Sequence, residues 1–295
     1  MVEKPFRENG VYSALFTPFT DKGELDLLKL KQLVRFEMNQ GVEGFYCCGS
    51  SGEGLLLDQS ERVAIVETVA SEIGGTVPLI VHTGSLGTKE AIALSQHAQK
   101  CGAAAVSLIP PIYYHYSQKE VAGYYEDVVN AIDLGVIVYN IPQFTGISFS
   151  KDNTLLANEK IVGIKHTSMN LYELERISQA FPEKTIFNGF DEIWLYSMAA
   201  GATATIGTTV NICPKVFGLI REAFLKGDMA EAQAIQHDLN AFIESLVRTG
   251  IFPSAKYCMT LQGIDVGPCR KPFDLLSGVE KGHVEQALAK MHKYL

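Results

Sequence analysis

The sequence predicts an α/β protein: a (β/α)8 TIM-type barrel over residues 1–226, then a C-terminal appendage of about three helices over 227–295. Three observations carry this. Short, β-rich apolar runs alternate eight times with stretches of helical period. Such alternation makes a parallel sheet covered by helices, and eight units close it into a barrel. The runs read as continuous rather than alternating, as in strands buried on both faces. After Gly227 the strands stop.

The elements follow in order. Strands over 11–16, 44–48, 78–82 and 104–109 precede helices over 26–40, 60–73, 89–101 and 119–131. A strand over 135–139 then leads to a short helix near 151–157, and 162–165 leads to 171–180. Strands over 185–188 and 204–207 lead to helices over 192–200 and 214–225. Beyond these, 228–248, 254–262 and 279–294 read as helices with no strand between them. No Pro/Gly/Ser-rich linker separates the two parts, which predicts one packed unit.

Composition narrows the function. Of 295 residues, 47% are hydrophobic, enough for a large core, and 20% are charged, too few for a disordered chain. The net charge of −8 argues against a general role on nucleic acid or an anionic membrane. No apolar run approaches the ~20 residues of a membrane helix. Residues 1–8 lack the apolar core of a signal peptide, so a cytoplasmic protein is expected. The six cysteines form no C-x-x-C and read as reduced, buried thiols, with Cys47 and Cys48 on one strand facing opposite ways. The seven histidines form no H-E-x-x-H or similar pair. No metal site is expected, and His82 and His166 read as structural.

Reactive groups of such a barrel stand at the C-terminal ends of its strands. Those ends hold Thr17, the 49–54 loop, His82, Tyr113-Tyr114, Tyr139-Asn140, Lys165, residues 189–192 and residues 207–209. Lys165 closes the apolar run of Ile161, Val162 and Ile164. Lysine is rarely buried, because its charge is costly to desolvate. An inward-facing Lys165 is therefore either salt-bridged or held neutral for chemistry, and a neutral amine condenses with a ketone to a Schiff base.

The loop Gly49-Ser50-Ser51-Gly52-Glu53-Gly54 follows a strand and precedes a helix. Its glycines let main-chain N–H groups face an anion, and its two hydroxyls add donors. A plain βα turn is an equal alternative. Glu53 breaks the G-x-S-x-G elbow, and the dinucleotide G-x-G-x-x-G order is absent. Tyr139 is either core packing or a proton shuttle linked to the Ser50 hydroxyl. Tyr113 and Tyr114 read as packing or interface residues. Asp191 and Glu192 either cap a helix or accept hydrogen bonds from a polyhydroxy substrate.

Taken together, Ala14–Phe19, Gly49–Glu53, Tyr139–Pro142, Gly163–Ser168, Asn188–Glu192 and Cys269–Phe273 resemble the dihydrodipicolinate synthase and N-acetylneuraminate lyase family of pyruvate-dependent class I aldolases. The resemblance covers nearly the whole chain. It implies that Lys165 is the Schiff-base lysine, Tyr139 the proton shuttle, and Ser50 with Ser51 the hydroxyl pair on the keto-acid carboxylate. It implies that Tyr113 or Tyr114 is lent across a subunit contact of a homotetramer. It implies that Thr167, Gly189, Asp191, Glu192, Gly207 and Thr208 hold the sugar portion.

Two departures keep a hydroxyl: Ser51 stands where the lyases often carry threonine, and Thr208 where serine is common. A third is informative. The synthase branch places an arginine shortly after the Tyr-Asn-x-Pro motif, to bind a second carboxylate. Here Gln143-Phe144-Thr145-Gly146 follows. The resemblance then implies reversible cleavage of N-acetylneuraminate to pyruvate and N-acetylmannosamine, with a covalent imine on Lys165 and no cofactor. The alternatives are an aldolase for another keto-deoxy sugar acid, dihydrodipicolinate synthase, and a non-catalytic sugar-acid sensor.

Overall fold

A computed structural model describes residues 6–295. The five residues before Phe6, part of the segment read above for a signal peptide, lie outside the described residues. Eight parallel strands pair in sequence order, and β8 closes on β1. They are β1 (Val11–Ala14), β2 (Gly44–Cys47), β3 (Leu79–His82), β4 (Ala105–Leu108), β5 (Gly135–Asn140), β6 (Ile161–His166), β7 (Thr185–Asn188) and β8 (Ala204–Gly207). Every strand residue is buried, as continuous apolar runs require.

The covering helices are α1 (Leu27–Asn39), α2 (Gln59–Ile73), α3 (Thr88–Lys100), α4 (Gln118–Ala131), the one-turn α5 (Pro142–Thr145), α6 (Leu171–Ala180), α7 (Trp194–Ala199) and α8 (Pro214–Leu225). Then come α9 (Met229–Arg248), α10 (Ile251–Leu261) and α11 (Gly278–Lys290), with no strand between them. Helix starts are written locally. Asp58 with Glu61, Ser117 with Glu120 and Ser277 with Glu280 each form a reciprocal capping box.

Two apolar clusters result. Tyr12, Ala14, Tyr46, Ile80, Ile137 and Phe187 are among those filling the barrel interior. The larger cluster lies between strands and helices, and continues into α9, α10 and α11 through residues such as Leu239, Phe242 and Met259. The helical group therefore shares the barrel's core.

Three expectations need correction. The segment near 151–157 forms only a 3-10 turn, Thr154–Ala157, because the Asn153 carboxamide accepts the Leu155 N–H at 3.0 Å and tightens the chain. The helix expected over 192–200 is a 3-10 turn, Asp191–Ile193, running into the short α7. Cys47 and Cys48 do not face opposite ways on one strand. The strand ends at Cys47, Cys48 turns left-handed at φ 59°, and the two thiols interact. A smaller difference is that α10 begins before Pro253, whose missing N–H costs nothing in a first turn.

Candidate active site at the barrel mouth

Strand register brings the key pair together. β5 and β6 pair Tyr139 with Lys165 and Asn140 with His166. Neighbouring strand residues face opposite sides. Tyr139 and Lys165 both enter the barrel, while Asn140 Nδ2 and His166 Nδ1 meet outside it at 3.2 Å.

Lys165 is 4% exposed. Its Nζ lies 3.9 Å from the Tyr139 ring centroid and 4.6 Å from that of Tyr46. None of the ion pairs among the described residues involves it. Among those residues it has no carboxylate partner, which favours the uncharged alternative for this amine.

The two tyrosines beneath the lysine are driven apart. Burial, then the charge of Tyr139, pushes the Tyr46 phenol well above its ordinary range, and its hydroxyl meets Ser107 Oγ at 3.2 Å. Burial would raise Tyr139 too. The charge of Lys165 and the neighbouring Ser50, Lys165 and Thr167 polar groups outweigh it and hold that phenol below the ordinary range. Tyr139 is thus the phenol suited to lose and regain a proton. His82 packs edge-on to Tyr139 and accepts the Ile109 N–H at 3.3 Å. Burial, then Arg62 and Lys165, keeps its imidazole neutral.

On one side of Lys165 stands the 49–54 loop. Bonds of 3.0 Å from Glu53 N–H to the Ser50 carbonyl and from Gly54 N–H to the Gly49 carbonyl coil it tightly. Ser50 is exposed to the cleft, whereas Ser51 is buried with its Oγ 2.7 Å from Thr208 Oγ1. On the other side, Asp191 Oδ2 accepts from the Thr209 N–H at 2.8 Å and hydroxyl at 2.7 Å. Asp191 thus anchors the turn after β8 and does not cap its own helix. Its Oδ1 and the Thr167 hydroxyl have no well-aligned partner.

Gly207 and Gly189 keep those two oxygens clear. A Cβ on Gly207 would fall 2.0 Å from Asp191 Oδ1, and one on Gly189 would fall 1.8 Å from Thr167 Oγ1. Burial, then Glu192, pushes the Asp191 carboxyl up to about 6, and burial raises Glu192 as well.

These groups line one cleft of about 570 Å³. Of the residues to which the resemblance gives a role, all but Gly207, Tyr113 and Tyr114 form its walls, whereas the strand-end candidates Thr17, His82 and Asn140 do not line it. Tyr113 and Tyr114 lie on the surface, 88% and 69% exposed, and Tyr113 holds a left-handed φ of 83°. Sequence reasoning missed Tyr46, and it missed that the appendage roofs the cleft through Ile243, Val247, Ile251 and Phe252. The apolar face of α9 and α10 was the available signal. Among the described residues no three His, Cys, Asp or Glu side chains gather as a metal-binding group.

The sequence model of the Dihydrodipicolinate synthetase family matches residues 7–291. An N-acetylneuraminate lyase of Rhizobium meliloti is 38% identical over 95% of this chain and 94% of its own. A crystal structure of CdNal from Clostridium difficile in complex with mannosamine superposes with a TM-score of 0.93 at 33% identity, over 97% of this chain and 99% of that one. The N-acetylneuraminate lyase of Fusobacterium nucleatum gives 0.92, also at 33% identity, over 98% and 99%. On the breadth of these matches, the chain belongs to the dihydrodipicolinate synthetase family.

Proposed function

We propose that this chain is a Schiff-base lyase that reversibly cleaves N-acetylneuraminate to pyruvate and N-acetylmannosamine. The observation that carries the reading is Lys165: a buried amine with no ion pair among the described residues, stacked on a phenol whose proton is loosened, between a hydroxyl loop and a carboxylate pair. The curated relative at 38% identity bears that activity in its name.

The chemistry follows from the placement. Ser50, Ser51 and loop N–H groups hold the carboxylate of the open-chain sugar acid, which aims its C2 ketone at Lys165. The amine adds, water leaves, and a protonated imine forms. Tyr139 takes the C4 hydroxyl proton as the C3–C4 bond breaks, and the bonding electrons pass into the imine to give an enamine. The aminosugar departs as an aldehyde. Protonation at C3 and hydrolysis return pyruvate and the free amine. The imine is the electron sink, so neither a metal nor a separate cofactor is needed. Thr167, Asp191, Glu192 and Thr208 receive the polyol chain, with Gly189 and Gly207 leaving the Thr167 and Asp191 oxygens clear to meet it. Anionic carboxylates beside a polyol site also disfavour an acidic second substrate.

We assign residues 1–226 to the catalytic barrel and 227–295 to a helical part that completes its mouth. We further propose a cytoplasmic homotetramer in which Tyr113 enters a neighbouring cleft. Its strained left-handed backbone supports Tyr113 over Tyr114, since such strain persists where function holds it. The test is pyruvate release from N-acetylneuraminate beside a panel of other keto-deoxy sugar acids. Release from N-acetylneuraminate at the highest kcat/KM is expected. Faster release from another acid would transfer the assignment, and binding without release would make the protein a sensor.

A further inference from the structure

The cleft loop is held from behind by a second buried lysine. Lys256 of α10 is 2% exposed, and its Nζ lies 2.5 Å from Glu53 Oε1. The same ammonium donates to the Thr17 carbonyl at 2.8 Å and the Pro268 carbonyl at 3.2 Å. Glu53 Oε2 accepts the Arg270 N–H at 2.7 Å. Thr17 closes the circuit, its hydroxyl donating to the Gly52 carbonyl at 2.6 Å.

One cation therefore joins the end of β1, the loop after β2 and the chain beyond α10. Glu53 is also the loop's strained residue, at φ 55°, a conformation that a non-glycine side chain keeps only when other contacts enforce it. Its own N–H bonds the Ser50 carbonyl at 3.0 Å, so the carboxylate anchor and the serine backbone form one rigid piece.

We propose that the buried Glu53–Lys256 pair is a positioning device for the reaction: it fixes Ser50 and Ser51 where they bind the keto-acid carboxylate, and makes keto-acid affinity depend on the helical appendage. This rests on the lyase reading above. Neither residue lies between Lys165 and Tyr139, so the pair acts through the loop and not on bond cleavage. Removing either partner leaves a buried charge unmatched and lets the loop relax, and small misplacements of a binding group weaken it steeply.

The test measures the pyruvate concentration that gives half-maximal borohydride trapping at Lys165, alongside kcat and the melting temperature. Glu53→Gln keeps the size of the side chain and an acceptor for the Arg270 N–H; Lys256→Met removes the cation. Each is expected to raise the half-maximal concentration tenfold or more while kcat changes less than threefold. The double variant is expected to be no worse than the weaker single, because the two act as one unit. An unchanged half-maximal concentration in folded Glu53→Gln, even with a lowered melting temperature, would overturn the proposal and leave the pair purely structural. Lys256→Met adds a second reading where it folds, and Glu53→Gln decides alone where it does not. No trapping in the unaltered protein would instead remove the lyase reading on which the proposal stands.

Discussion

Lys165 and Lys256 are equally hidden and differ in everything around the amine. Lys256 has a carboxylate and two carbonyl oxygens within hydrogen-bond distance. Lys165 has two aromatic faces and an open cleft. Burial alone therefore does not mark a reactive lysine; the company it keeps does. A fully matched cation is a tie between elements, and an amine facing π-systems and hydroxyls is free to meet a carbonyl.

The sharpest way to break the comparison is to remove Lys165. Lys165→Ala is expected to lower pyruvate release by about 10³-fold or more, with a folded circular-dichroism spectrum. Residual turnover within tenfold would place the nucleophile elsewhere. Next is the phenol beneath it. Tyr139→Phe is expected to lower turnover about 10²- to 10⁴-fold while borohydride trapping of pyruvate changes far less. Equal losses in both would make Tyr139 a packing residue.

The third prediction concerns stability and reverses the order of the two lysines. Lys256→Met is expected to cost about 3–5 kcal/mol in urea unfolding, because Glu53 is left buried without its partner. Lys165→Met, which breaks no ion pair among the described residues, is expected to stay within ~1 kcal/mol. Similar costs for the two would erase the distinction drawn here.

The smallest effect lies away from both lysines. Glu37 is buried beside Ser13, and burial pushes its carboxyl up to about 8 against the weaker opposing influence of the nearby Ser13 hydroxyl. The folded protein thus holds that proton more tightly than the unfolded chain. Its stability falls as pH rises from the ordinary glutamate range through about 8. Glu37→Gln is expected to be more stable than the unaltered protein at pH 9, by ~1–3 kcal/mol, with the gap closing below the ordinary range. A variant destabilised equally at both pH values would contradict this.

The contrast between the lysines also explains what the sequence disclosed. Lys165 was legible because it ends a continuous apolar run, where a charge is conspicuous and local pattern suffices. The barrel was legible for the same reason, since each strand is a short apolar run bounded by polar residues. Lys256 was not, because its partner Glu53 stands 203 residues away and only the closed fold brings them together. Glu53 itself looked like a mismatch to an esterase motif rather than an anchor. The one-turn α5 was hidden between Pro142 and Gly146, too short to show a helical period. The turn at Thr154–Ala157 was overread because Leu155 and Leu156 are buried there, as helix residues would be.

The most direct test of the central claim is borohydride reduction of the protein with pyruvate, followed by peptide mass mapping. A reduced pyruvyl adduct on Lys165, and none on Lys256, is the predicted result. An unmodified Lys165, or an adduct persisting at another lysine in Lys165→Ala, would contradict it.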